Sequence, residues 1–245
     1  GEVDPESDKF TGFVFKIQAN MNPAHRDRIA FIRICSGRFT RGMTVYHVQQ
    51  GKEVRLSQPQ QFMAQERTIV EEAYAGDIIG VFDPGIFHIG DTLSEGNSNL
   101  RFEGIPIFPA EHFAKVTPVD TMKRKQFIKG INQLSEEGTI QVFKQIDIGF
   151  ESIIVGVVGI LQLEVLEYRL KHEYGVDLRI QKLPHRHARW IVSSDTEPRN
   201  LTLTSTTMIV HDQDERYVLL FENEWSIRWA EEKNPSLKLE DIAKR

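Results

Sequence analysis

Two loops come close to the phosphate-binding pattern G-x-x-x-x-G-K-[ST]: Gly37–Thr44 and Gly85–Thr92. In such a loop backbone N–H groups cradle phosphates, the lysine reaches the β/γ-phosphates and the hydroxyl holds Mg²⁺. Here the lysine position carries Met43 and Asp91, and each loop runs into a strand-like segment instead of a helix. The glycines are therefore expected to serve turns. Asp77–Gly80 repeats the short D-x-x-G signature of nucleotide sites inside an apolar strand, which makes it a coincidence of composition. His185 and His187 could share one strand face and a metal ion, but no cysteine or further ligand accompanies them. A solvated basic loop is the expectation there. Cys35 lies in an apolar strand, the setting of a buried and inert thiol. Glu136 and Glu137 close a helix, where carboxylates hydrate. No catalytic, cofactor-binding or metal-binding residue is expected in this chain.

Two basic features suit a different chemistry, contact with phosphate esters. His25, Arg26 and Arg28 fall in a polar loop between two strands. Lys123, Arg124, Lys125 and Lys129 occupy the first two turns of a helix, opposite its apolar side. Charge runs of this kind commonly form a solvated face. Cations at a helix N-terminus oppose its dipole, however, so helix stability does not explain them. These seven residues are the candidate RNA contacts.

The elements that must carry these residues change character midway along the chain. Residues 1–11 are acidic and aperiodic, a linker. From 12 to 104 short strands alternate with glycine-punctuated turns, with strands expected at 13–17, 28–34, 43–48 and 77–82. Many short strands at close spacing favour a closed barrel or a sandwich. From 105 to 245 helical periodicity enters. A strand at 113–116 precedes a helix capped at Asp120 or Thr121 and buried through Phe127, Ile128, Ile131 and Leu134. Strands at 139–143 and 152–157 and a helix from 160 to 174 follow, the helix exposing Glu164, Glu167, Lys171 and Glu173. A strand at 177–180 completes a βαββαβ, ferredoxin-like order. Further strands at 189–192, 208–210 and 217–221 and a helix capped by Asn223 form C-terminal additions.

The 245 residues suit one large domain or two ordinary ones, and 40% hydrophobic with 27% charged residues supports a packed core. The formal net charge of −5 argues against an autonomous nucleic-acid binder, so RNA contact would have to be local. One cysteine excludes an internal disulfide. No apolar run approaches bilayer length and no secretion signal is visible, which points to a cytoplasmic protein without membrane contact.

Several of these segments also resemble a known superfamily. Gly12–Ile17, Arg28–Gly37, Gly42–Val45, Glu71–Ile78 and Gly90–Leu93 resemble, in order and spacing, the second domain of translational GTPases such as elongation factor G. Gly159–Val165 with Arg169, Leu170 and Glu173–Val176 is similar to the third domain. Lys16–Met21 with His25–Arg28, Gln133–Gly138 with Gln141–Phe143, Gly104–Pro106 and Ala188–Trp190 resemble the bacterial class II release factors. The resemblance implies a translation-factor β-barrel followed by an α+β domain, in a fragment that lacks the GTPase domain. It implies a part in translation termination, promoting departure of class I release factors from the ribosome. The expected partners are small-subunit RNA and protein, the class I factor and the protein's own GTPase domain. GTP or GDP with magnesium would bind in that missing domain, making the whole protein, but not this fragment, a GTPase. The competing readings are a fragment of elongation factor G or a ribosome-protection relative, or, in another class, a small-molecule-binding regulatory module.

Overall fold

The computed structural model describes residues 3–19, 28–57, 70–96, 100–102, 109–145 and 152–241. The chain divides into two compact units, Gly1–Pro106 with Glu136–Gly138, and Ile107–Ser135 with Thr139–Arg245.

The first unit is built of strands β1 (Thr11–Ala19), β2 (Arg28–Ser36), β3 (Arg38–Thr40), β4 (Thr44–His47), β5 (Lys52–Arg55), β6 (Glu72–Tyr74), β7 (Ile78–Asp83) and β8 (Thr92–Ser94). Six of them form one sheet in the order β5-β4-β8-β1-β2-β7, while β3 and β6 pair separately. The two outer strands of the large sheet approach each other, because Phe82 N–H in β7 donates to the Ser57 carbonyl just past β5 at 2.7 Å. That bond curls the sheet toward a barrel and covers part of both edges. Inward residues alternate along the strands, as Ile32 and Ile34 do on β2, and meet in a core with Phe10, Val14, Ile17, Phe39, Val81, Phe87 and Leu93. A register shift between Val14 and Lys16 marks a bulge in β1, a device that sharpens local twist. Gly37 turns the chain from β2 into β3 at φ 71°, and a Cβ there would stand 2.3 Å from Phe10 N.

The second unit begins with β9 (His112–Pro118), a 3₁₀ turn Thr121–Lys123, α1 (Arg124–Glu136), β10 (Gln141–Gln145), β11 (Ser152–Val157), α2 (Leu161–Tyr174) and β12 (Leu178–Leu183). Their strand order, β12-β9-β11-β10, is that of a ferredoxin-like split βαβ. Phe127, Ile131 and Leu134 of α1 and Leu163, Leu166 and Leu170 of α2 cover one face, against Ala114, Val116, Ile153 and Val155. The helices lie close because Gly130 leaves room: a Cβ there would sit 2.3 Å from Leu170 Cδ2.

The remaining chain enlarges this sheet. β13 (His187–Ser193), a 3₁₀ turn Pro198–Asn200, β14 (Met208–His211), β15 (Tyr217–Phe221), α3 (Glu224–Lys233) and β16 (Lys238–Glu240) follow. β14 adds beside β10, and the sheet continues β14-β15-β13-β16. The added half packs Ala188, Val210, Val218 and Leu220 on Phe113, Phe143 and Ile154, the other face of the ferredoxin-like half. Helix α3 starts at Asn223, whose side chain accepts from Ser226 N–H at 2.9 Å in a capping box, as the sequence predicts for that residue. It buries Ile227 and Ala230 against Leu201, Leu219 and Phe221.

Candidate nucleic-acid interface

Neither near-phosphate loop leads into a helix: Gly37–Thr44 holds the short strand β3 between two turns, and Gly85–Thr92 connects β7 to β8. Gly37, Gly42, Gly85 and Gly90 all have positive φ, and the loops open into β4 and β8. Asp91, which stands where the lysine would be, accepts from His88 N–H at 2.8 Å and contacts the buried His47 Nε2 at 2.7 Å. It therefore braces the turn from within.

The seven predicted RNA contacts fall into different settings. His25 and Arg26 lie outside the described residues. Arg28, the first residue of β2, is largely buried and already engaged. Its Nη2 stands 3.3 Å from Asp83 Oδ2, a charge contact without hydrogen-bond alignment. Its Nη1 pairs with Glu136, which groups with the same unit. Asp83 in turn accepts from the N–H groups of Gly85, Ile86 and Phe87 at 2.7, 2.9 and 3.2 Å. Arg28 thus belongs to the wiring of the barrel.

The helix residues are different. Asp120 accepts from Met122 N–H at 2.9 Å, so it caps the 3₁₀ turn that leads into α1. Arg124, Lys125 and Lys129 are exposed and Lys123 is half-buried. The first turn of α1 contains no acidic residue. None of the four cations has a carboxylate within 4.0 Å among the described residues. The structure brings these four together on the start of α1 and the turn that leads into it.

Glu136 and Glu137, expected as hydrated helix-end carboxylates, are engaged instead by Arg28 and by the Ala19 N–H, and three further sites correct the sequence reading. His185 is buried, not part of a solvated loop, and its Nε2 bonds the Thr206 carbonyl at 2.7 Å. Cys35 is half-exposed, because Ile32, Ile34 and Ser36 take the inward positions of β2. Burial still raises its thiol pKa, with the nearby Arg33 acting in the opposite sense. On α2 the solvent side carries apolar residues beside Glu164, Glu167 and Lys171, while Glu173, expected to be exposed, is largely buried against Arg169. Leu161, Val165 and Tyr168 are 69%, 40% and 61% exposed, and the Tyr168 ring lies 4.1 Å from that of His172. Their i, i+4, i+7 spacing was a legible signal, hidden because the buried leucines already account for one apolar face. Among the described residues no helix is long and apolar enough to cross a membrane.

Comparison with known proteins covers both units. Residues 9–96 match the model of elongation factor G domain 2, and residues 102–231 that of the class II release factor RF3 C-terminal domain. The chain is 60% identical over 235 residues to peptide chain release factor 3 of Symbiobacterium thermophilum, covering 96% of this chain and 44% of that protein. It is 47% identical over 243 residues to the same factor of Trichodesmium erythraeum, covering 99% and 45%. It thus spans less than half the length of these relatives. A solved protein of Thermus thermophilus shares the fold at TM-score 0.58 and 21% identity, covering 84% of this chain and 31% of that one. A barrel of elongation factor G type joined to the RF3 C-terminal α+β unit is what the architecture and both matches describe, and the chain belongs to the class II release factor RF3 family.

Proposed function

We propose that this chain is the ribosome-binding portion of a translational GTPase that acts in termination, promoting release of class I release factors after peptide hydrolysis. Its functional divisions are the barrel at 12–104 and the α+β domain at 105–245, preceded by a linker. The observation that carries the RNA-facing part is the group Lys123, Arg124, Lys125 and Lys129, cations without carboxylate partners among the described residues, on an otherwise acidic chain. Phosphate contacts supply most of the affinity of such a surface and make it salt-dependent. His25 and Arg26 join the proposal as further basic residues, whereas Arg28 contributes by holding the barrel together.

GTP or GDP with magnesium belongs to the part of the relatives' length outside this chain, and this portion works by how it sits on the ribosome in each nucleotide state. The protein acts in the cytoplasm. Its small-subunit partners are RNA at the α1 cluster and ribosomal protein, with the class I factor sharing the ribosome. The test uses a full-length protein carrying R124A, K125A and K129A. Ribosome affinity should fall, and the slope of log K against log salt should flatten by roughly 0.7–0.9 for each phosphate no longer engaged. An unchanged slope would reduce the cluster to a solvated face.

A further inference from the structure

Away from α1, the second unit holds a cleft of about 300 Å³ lined by Pro109, Ala110, Glu111, His112, Arg186, His187, Arg189 and Asp241. Strand alternation builds it. Ala188 and Trp190 of β13 point into the core, so His187 and Arg189 face the opposite way. Arg186 is fixed just before the strand by its backbone N–H, which donates to the Phe221 carbonyl at 2.9 Å.

Some guanidinium groups in the same unit are closed off by a carboxylate. Arg169 is locked to Glu173 at 2.7 Å and Arg216 to Asp212 at 2.9 Å. Arg186 instead donates through Nη1 to the Glu111 carbonyl at 3.4 Å and to His112 Nδ1, and Arg189 donates to the Ala188 carbonyl at 3.0 Å. Neither has a carboxylate within 4.0 Å among the described residues. Each guanidinium carries five N–H donors in a rigid fork, so most of that capacity is uncommitted. Because His112 Nδ1 accepts from Arg186, the neutral ring keeps its proton on Nε2, another donor. Burial first, and Arg189 second, lower the pKa of His187, with Glu224 and Glu111 opposing. Two fixed cations repel a metal ion, and the N–H forks match tetrahedral oxyanions.

We propose that this cleft binds a phosphate group, free or as a phosphodiester of RNA, between Arg186 and Arg189, with His112 and His187 as further donors. The two carboxylates in the lining, Glu111 and Asp241, offset the formal charge of the two arginines. Recognition there rests on directed N–H donors more than on net charge, unlike the α1 cluster. The site stands whether or not the chain acts on the ribosome.

The experiment follows the imidazole NMR signals of His112 and His187 in the 245-residue chain. It is titrated with inorganic phosphate at constant ionic strength, and separately with a short single-stranded RNA. Both signals should move and the His187 pKa should rise toward its ordinary value as the anion stabilises the protonated ring. R186Q and R189Q should each weaken binding at least about tenfold, the scale of removing one charge-assisted hydrogen bond. R189K, which keeps the charge without the fork, should fall between. A response to phosphate alone assigns a small-anion site, and a response to RNA assigns backbone contact; either supports the proposal. Absence of both responses overturns it, as does an affinity unchanged in the variants. If one glutamine variant does not fold, the other and R189K carry the same comparison.

Discussion

Arg28 in the barrel and the basic start of α1 in the α+β unit handle charge in opposite ways. In the barrel, Arg28, Arg38 and Arg41 are each paired with a carboxylate, at Asp83, Glu72 and Glu71, and the buried His47 rests on Asp91. In the α+β unit, some arginines are paired while Lys123, Arg124, Lys125, Lys129, Arg186 and Arg189 are left without carboxylates among the described residues. A paired charge shapes the chain around it; an unpaired one is available to something outside the chain. Substitution should therefore damage folding at the Arg28–Asp83 pair and binding at the α1 cluster.

The largest effect is expected from Asp83→Ala. It removes the acceptor of three N–H groups and strips Arg28 of a carboxylate in a largely buried place. Breaking such a pair costs about 3–5 kcal/mol, read as a lower midpoint in denaturant unfolding. A wild-type midpoint would break the contrast between the units. Next comes Gly130→Ala, a test inside the α+β unit. Alanine favours a helix by about 1 kcal/mol over glycine, but its methyl would meet the fully buried Leu170. Overpacking costs about 1–3 kcal/mol, so net destabilisation is the expected outcome of thermal unfolding. A stabilised variant would show that α2 yields easily.

The triple substitution at Arg124, Lys125 and Lys129 should leave stability within about 0.5 kcal/mol per site while it moves ribosome binding, which sharpens the comparison from the other side. The smallest effect concerns His187. Its pKa is lowered in the folded chain, so the folded state binds fewer protons than the unfolded one as the group titrates. Stability is full above the ordinary histidine pKa and is lost as pH falls through the lowered one. H187Q should flatten that acid limb slightly, as measured by unfolding at a series of pH values.

Much of this was legible in the residues. Turn glycines at 37, 42, 85 and 90 and the missing lysines identify the near-phosphate loops as strand connections. The apolar spacing at Phe127, Ile131 and Leu134 predicts α1, and Asn223 predicts the start of α3. What escaped was parity and pairing. Cys35 sits in an apolar stretch, but which alternate residues of β2 face inward depends on its register with β1 and β7. Arg28 reads as a loop cation until the fold brings Asp83, fifty-five positions on, beside it. His185 reads as solvated until Thr206 covers it. Each is a long-range contact, invisible to local periodicity.

The eight-stranded sheet also bears on solubility. Among the described residues, β14 joins β10 through two residue pairs, Lys144 with His211 and Gln145 with Val210. The sheet then ends on β12, which carries Arg179 and Lys182, and on β16, which is three residues long. A charged edge and a very short one both discourage strand addition from another molecule. A chain cut after Ser193 would lose β14, leave Lys144 and Gln145 of β10 unpaired on that side, and uncover Phe143 and Ile154, which Val210, Val218 and Leu220 otherwise cover. Such a truncation should self-associate edge to edge, seen as a concentration-dependent rise in mass by light scattering. The C-terminal strands act, in this sense, as a built-in guard against aggregation.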